Sequence, residues 1–350
     1  MSQTLNSAHL NPQVPHLPRH VLVLIGPTAS GKTPTSFLIA GRIDAEIISA
    51  DSRQVYKLMD IGTAKPSIDG RERIKHYFID ELFPDQDFNA GEYGKKGQVI
   101  IDDIFHRGKI PLVVGGSGLY IQALIDGFFE GPSADQTIRQ QLTQRMKEEG
   151  AEKLLEELRV IDPFVAATML QSNTRRIIRA LEVYELTGMP ISELQKSRVI
   201  LNISPVFVGL RWDRTKLYER INRRVDLMLE RGLVEEVKML RARGYDSQLN
   251  SLQTVGYKEV FDFLQGKTDN ARMVELIKQN SRRYAKRQLT WFRRDERISW
   301  FDVAGENDFS RVANEITDFF LQSGRADFPK GAPLEEPPTL APKAPRSNRF

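Results

Sequence analysis

The stretch Val21-Leu22-Val23-Leu24-Ile25-Gly26-Pro27-Thr28-Ala29-Ser30-Gly31-Lys32-Thr33 decides the fold. Its first five residues form a short β-branched and leucine-rich run that stops at a glycine, as a buried parallel strand does. The next eight, Gly26, Pro27, Thr28, Ala29, Ser30, Gly31, Lys32 and Thr33, match the glycine-rich phosphate loop in full. Glycines permit the backbone turns, and successive amide N–H groups point inward as an anion cradle. Lys32 adds a point charge, and the Thr33 hydroxyl is placed to bind Mg²⁺. The helix that follows offers its positive N-terminal end. A chance match in a turn would lack this strand before and helix after. Pro34 comes next and has no N–H to give a third phosphate, which favours a diphosphate ligand over a nucleoside triphosphate.

Working outward, further apolar runs at 46–49, 112–114 and 206–210 alternate with helical stretches. That alternation predicts an α/β fold, a P-loop NTPase-like parallel sheet flanked by helices on both faces. Between 131 and 204 the pattern is helical alone and reads as an inserted subdomain. Ser133 and Gln136 suggest a capping box, with Ile138, Leu142 and Met146 as one apolar stripe and Gly150 as a stop. Asp162-Pro163 opens another helix with a cap and a first-position proline. The segment 174–187 continues in helical rhythm until Gly188 and Pro190. After Leu210 the C-terminal half is helical, over 216–232, 233–243, 255–264 and 271–292. The expected organisation is a disordered tail (1–19), the first part of the core (20–130), the insertion (131–204), a core strand with a basic helical part (205–326) and a second tail (327–350). That last stretch holds six prolines and few large apolar side chains, too little to offset its ordering entropy.

The chain has 350 residues, 40% hydrophobic and 27% charged, ample for a core. It has no cysteine, which excludes disulfides, thiol catalysis and cysteine-held metals and fits a reducing cytoplasm. No apolar run approaches the ~20 residues that span a bilayer, and no secretory signal pattern opens the chain. A cytoplasmic protein without membrane contact is expected. No exposed apolar seam demands a partner subunit, so a monomer is expected too. Net charge is only +4, but residues 281–297 hold seven Lys/Arg against Asp295 and Glu296. Such a local excess suits an RNA or phosphate partner.

Phosphate-loop ATPases usually end a neighbouring strand in an aspartate that helps hold the metal. Here Pro111-Leu112-Val113-Val114 runs instead into Gly115-Gly116-Ser117-Gly118. The acid sits at the end of the second strand, in Ile47-Ile48-Ser49-Ala50-Asp51-Ser52-Arg53-Gln54. A carboxylate at the C-terminal edge of a parallel strand lies on the ligand side of the sheet. Asp51 is therefore a candidate base, or a helix cap with Ser52. His76 reads as structural, and no histidine pair has the spacing of a zinc site.

The set GPTASGKT, ISADSRQVY, DIGTAKPS, VVGGSGLY, RINRRVDLMLERGLVEEV, QTVGYKE and KRQLTWFR resembles the bacterial tRNA dimethylallyltransferase family, from about Val21 to Phe301. Each motif other than the phosphate loop is only suggestive, but seven in the family's order are very specific. The resemblance implies transfer of a dimethylallyl group from its diphosphate to N6 of the adenosine 3′ of the tRNA anticodon, with Mg²⁺ present. It implies that the phosphate loop holds the diphosphate through Lys32, with Thr33 on the metal, and that Arg224 adds charge to the leaving group. Asp51 would accept the amine proton, and Ser117, where the family often has threonine, would bond near the diphosphate or base. The implied tRNA contacts are Asp51, Ser52, Arg53, Gln54, Ser117, Arg139, Arg175, Arg176, Arg179, Gln253, Gly256, Lys258, Lys286, Arg287, Gln288 and Arg293. Without the resemblance, Arg220 and Arg224 read equally well as a solvated basic stripe, and Trp291 and Phe292 as core residues.

Two other readings stay open at this point. One keeps the chemistry but acts on free adenine nucleotides, although the long basic half from Arg211 to Arg297 exceeds what a mononucleotide needs. The other is a small-molecule kinase using ATP in the same loop. The missing strand-end aspartate, Pro34 and the place of Asp51 weigh against it.

Overall fold

The computed structural model describes residues 19–127, 131–132, 135–197 and 200–326. In chain order the strands are β1 (His20–Ile25), β2 (Ala45–Ala50), β3 (His76–Tyr77), β4 (Ile110–Gly115), β5 (Ser204–Trp212) and β6 (Ser299–Val303). They form one parallel sheet in the order β3-β2-β4-β1-β5-β6. Central β1 pairs Leu22 with Leu112 on one side and with Val206 on the other. Alternate residues of β1 serve opposite faces, as a pleated strand dictates. Val21, Val23 and Ile25 join one core, Leu22 and Leu24 the other. The strands foreseen from apolar runs are each present and longer by one or more residues at their ends. β3 and β6 were not foreseen, the first because two residues carry no period and the second because Ser299–Val303 lacks a sustained apolar run.

Helices before the insertion are α1 (Lys32–Ile43), α2 (Ile68–Arg73), α3 (Ala90–His106) and α4 (Gly118–Ile125). The insertion holds α5 (Gln136–Glu148), α6 (Ala151–Ile161), α7 (Pro163–Ala166), α8 (Thr174–Thr187) and α9 (Ile191–Leu194). After β5 come α10 (Arg214–Glu230), α11 (Leu233–Ala242), α12 (Tyr257–Leu264) and α13 (Asn270–Phe292), and after β6 comes α14 (Phe309–Ala326). Helices α1 and α14 cover one face of the sheet; α3, α4 and the α11–α13 group pack on the other. No helix among the described residues is long and apolar enough to cross a membrane.

The insertion buries its own cluster, with Leu142, Leu154, Leu158, Ile177 and Leu181 at its centre. Asp162 caps α7 by accepting from the Val165 N–H at 3.0 Å, with Pro163 at the first position, as its sequence predicts. Gly188 ends α8 in a left-handed conformation at φ 68°. The start of α5 differs from expectation. Asp135, not Ser133, caps it and accepts from the Thr137 and Ile138 N–H groups, while Ser133 lies outside the described residues. The tails 1–18 and 327–350 also lie outside them.

Candidate active site

The phosphate loop joins β1 to α1, and its carbonyls are held from several directions. Trp212 Nε1 donates to Ser30 O at 2.9 Å, and Arg220 Nε to Ala29 O at 3.0 Å. Lys32 Nζ donates to Gly26 O at 2.9 Å and Pro27 O at 2.8 Å. The N–H groups that open α1 have no partner inside that helix, so they are available to an anion. Glycine at 31 is required twice over. Its φ is +89°, and a Cβ there would lie 2.2 Å from the Phe309 ring. Ser30 Oγ is fully buried without a hydrogen-bond partner among the described residues, inside the loop that an anion would fill.

β4 cannot carry the strand-end acid. A Cβ on Gly115 would sit 2.1 Å from the Ala50 carbonyl oxygen. The carboxylate comes from the neighbouring strand instead, as Asp51 directly after β2. Its Oδ1 accepts from the Arg53 N–H at 2.9 Å, which fixes the carboxylate and leaves Oδ2 for another donor. Asp51 is thus both a local cap and a group facing the cavity. Ser117 Oγ accepts from the Ser52 N–H at 3.2 Å.

Asp51 and Tyr284, with Thr28 of the phosphate loop, border a cavity of about 260 Å³, whereas Lys32, Thr33 and Ser117 are not part of its lining. Its polar lining includes Thr28, Asp51, Ser52, Arg53, Arg224, Gln253 and Arg287. Its apolar lining includes Ile221, Val225, Met228, Val255 and Ile277. On α10 the three-and-four spacing turns Ile221, Arg224, Val225 and Met228 to the cavity together. Burial, reinforced by Arg224 and opposed by Asp51, pushes the Lys32 amine down to about 7. Burial also lowers Arg224, again opposed by Asp51. Burial first, then Asp51, pushes Tyr284 up to about 12. Arg220, four residues before Arg224, points elsewhere. It stacks on Trp212 and Phe309 and pairs with Glu306.

Several residues named from sequence lie outside this cavity. Gln54 braces neighbouring turns, accepting from Ser49 Oγ at 3.0 Å and donating to Thr63 O at 3.3 Å. Arg139 and Arg179 both clamp the fully buried Glu182, each at 2.9 Å, while Arg175 and Arg176 are exposed on α8. Lys258, Lys286 and Arg293 are exposed; Gly256, by contrast, does line the cavity, starts α12 at φ +97° and donates to Glu259. Gln288 is buried, whereas Trp291 is 45% exposed and only Phe292 of that pair is core. Tyr284, Ile277 and Ser281 were missed. Their signal was present, because 277, 281, 284 and 288 recur at spacings of four, three and four on α13, one helix face.

A family model described as IPP transferase matches residues 54–295, and the alignment with relatives runs further. The chain is 48% identical over 288 residues to a tRNA dimethylallyltransferase of Acetivibrio thermocellus, covering 81% of this chain and 91% of that one. The chain belongs to the IPP transferase family. Another member, a tRNA dimethylallyltransferase of Thermotoga maritima, is 47% identical over 305 residues, 87% of this chain and 98% of its own. Among solved members, the tRNA isopentenylpyrophosphate transferase of Bacillus halodurans matches with TM-score 0.65 at 39% identity, covering 88% of this chain and 99% of its own. A eukaryotic dimethylallyltransferase acting on tRNA matches with TM-score 0.74 at 28% identity, covering 87% of this chain and 80% of its own.

Proposed function

We propose that this chain transfers a dimethylallyl group from dimethylallyl diphosphate to N6 of the adenosine 3′ of the anticodon in tRNA. The observation that carries this reading is the mixed lining of the cavity. Asp51, Arg224 and Arg287 border it beside Thr28 of the phosphate loop, together with five apolar side chains suited to a five-carbon alkenyl group. The phosphate-loop amides with Lys32 hold the diphosphate, and Arg224 faces it across the cavity. The C1–O bond of the allyl diphosphate breaks as N6 bonds to C1, and Asp51 Oδ2 takes the proton from nitrogen. Lys32 and Arg224 stabilise the charge that develops on the departing diphosphate. Ser117 and Tyr284 fix the edge of the site where the base enters.

Mg²⁺ fits as a shared ligand. The Thr33 hydroxyl and diphosphate oxygens are the hard oxygen donors this ion takes, and no cluster of three or more His, Asp or Glu among the described residues would hold it alone. When bound it supplies positive charge to the diphosphate oxygens. The decisive experiment incubates the protein with labelled dimethylallyl diphosphate, Mg²⁺ and bulk tRNA, followed by digestion to nucleosides. Label in N6-modified adenosine supports the reading; label elsewhere or nowhere overturns it.

An anion beside Lys32 favours its charged form. Diphosphate binding at pH 8 should therefore be accompanied by proton uptake, because the free amine titrates near 7 and the bound one higher. Calorimetry in buffers of different ionisation enthalpy measures this directly. Heats independent of the buffer would mean that the amine is already charged before binding.

For the RNA surface, the exposed pair Arg175 and Arg176 is the informative one, since Arg179 is engaged with Glu182. Changing both to alanine should flatten the log–log salt dependence of stem-loop affinity by roughly 1 to 2, at about 0.7 to 0.9 per phosphate contact. Stem-loops of different anticodon sequence should weaken alike, because phosphate contacts carry no sequence information. An unchanged slope removes Arg175 and Arg176 from the RNA interface.

A further inference from the structure

Gln288 joins three segments that meet at the site. Its Oε1 accepts from the Thr28 N–H of the phosphate loop at 2.8 Å. Its Nε2 donates to Gly116 O, in the turn that presents Ser117, at 2.9 Å. The side chain is buried, and both halves of the amide are satisfied by backbone. The joint is tight, since a Cβ on Gly116 would lie 2.2 Å from Gln288 Nε2. Gln288 was grouped by resemblance with RNA-contacting residues, but its amide is committed to protein backbone. Its chain neighbours behave differently: Lys286 and Arg287 are exposed, and Arg287 lines the cavity. One helix thus turns Lys286 to solvent, Arg287 to the cavity and an amide inward to the phosphate loop.

We propose that Gln288 is a positioning residue that links the two substrate sites, so that seating RNA on α13 sets the phosphate loop for diphosphate. This rests on the function given above, because it supposes that α13 meets RNA. A rigid helix with fixed bonds to the loop transmits a small displacement as a change in the Thr28 amide and the Ser117 turn. By linkage the effect is reciprocal, each ligand changing the other's affinity by the same factor.

The test uses the full chain, an anticodon stem-loop RNA, and inorganic diphosphate with Mg²⁺ as an unreactive probe. In the wild type, saturating RNA should change the diphosphate dissociation constant by about 5-fold or more. Gln288→Met keeps the length without hydrogen bonds, and should bring that factor to about 2 or less while kcat drops by about 10-fold or more. KM for the stem-loop should stay within about 3-fold, a split that general unfolding would not produce. Gly116→Ala attacks the same joint from the other side and should give the same loss of linkage, which covers the case in which one variant folds poorly. Wild-type linkage retained in both variants overturns the proposal, as does its absence from the wild type. A wild type that shows linkage but transfers no prenyl group overturns the assigned function and leaves the joint standing.

Discussion

Replacing Lys32 by alanine is expected to lower turnover by about 10²- to 10³-fold or more, the scale on which a single preorganised charge-stabilising donor acts. Two physical losses combine. The amine that neutralises the departing diphosphate disappears, and so do the bonds to Gly26 O and Pro27 O that shape the loop before ligand arrives. Stem-loop RNA should bind the variant as it binds the wild type, because the exposed cations of α8 and α13 are untouched. Single-turnover kinetics with a parallel RNA-binding titration separates the two. A variant that prenylates at the normal rate would remove the phosphate loop from the chemistry.

Asp51→Asn is expected to lower kcat by about 10²- to 10⁴-fold, the usual worth of a positioned general base. Asparagine retains an oxygen to accept from the Arg53 N–H, so the turn after β2 should persist. Diphosphate affinity should consequently change little, which isolates proton transfer from architecture. The adenine amine is a weak nucleophile until its proton has somewhere to go. If instead diphosphate binding collapses with kcat only modestly changed, Asp51 holds metal or backbone and another group is the base.

Much of the core was legible because its signals are local. The run Val21–Ile25 and the glycines after it specify a strand, a turn and a helix from adjacent residues. Thr174–Thr187 announced both of its ends through period and Gly188. Lys32 and Asp51 are proposed from motif and chemistry and Arg224 from the family resemblance, and the structure puts Asp51 and Arg224 on one cavity. The use of a side chain was not legible where tertiary packing decides it. Arg179 has the spacing of a phosphate rail, yet Glu182 three residues on takes it up, a carboxylate that packing within the insertion buries. Gln288 reads as polar surface in a basic helix, but α13 rolls it inward onto a loop some 260 positions earlier. Tyr284 was overlooked among arginines, although its stripe with Ile277 and Ser281 was countable.

The central place of β1 also sets a timetable. Its two partners are β4 and β5, and Leu22 pairs with both Leu112 and Val206. Neither neighbour exists when β1 leaves a translating ribosome. At roughly 5–20 residues per second, the second flank of β1 is completed about 10 to 40 s after the strand itself is made. During that interval one hydrogen-bonding edge of a strand apolar from Val21 to Ile25 has no permanent neighbour, the state in which strands find wrong ones. The insertion is synthesised within the same interval and closes around its own leucines without help from the sheet. Growth of the chain therefore sets a helical unit with a core of its own beside a sheet whose middle strand is made first, yet is still open at one edge when β2 and β4 are already flanked on both sides.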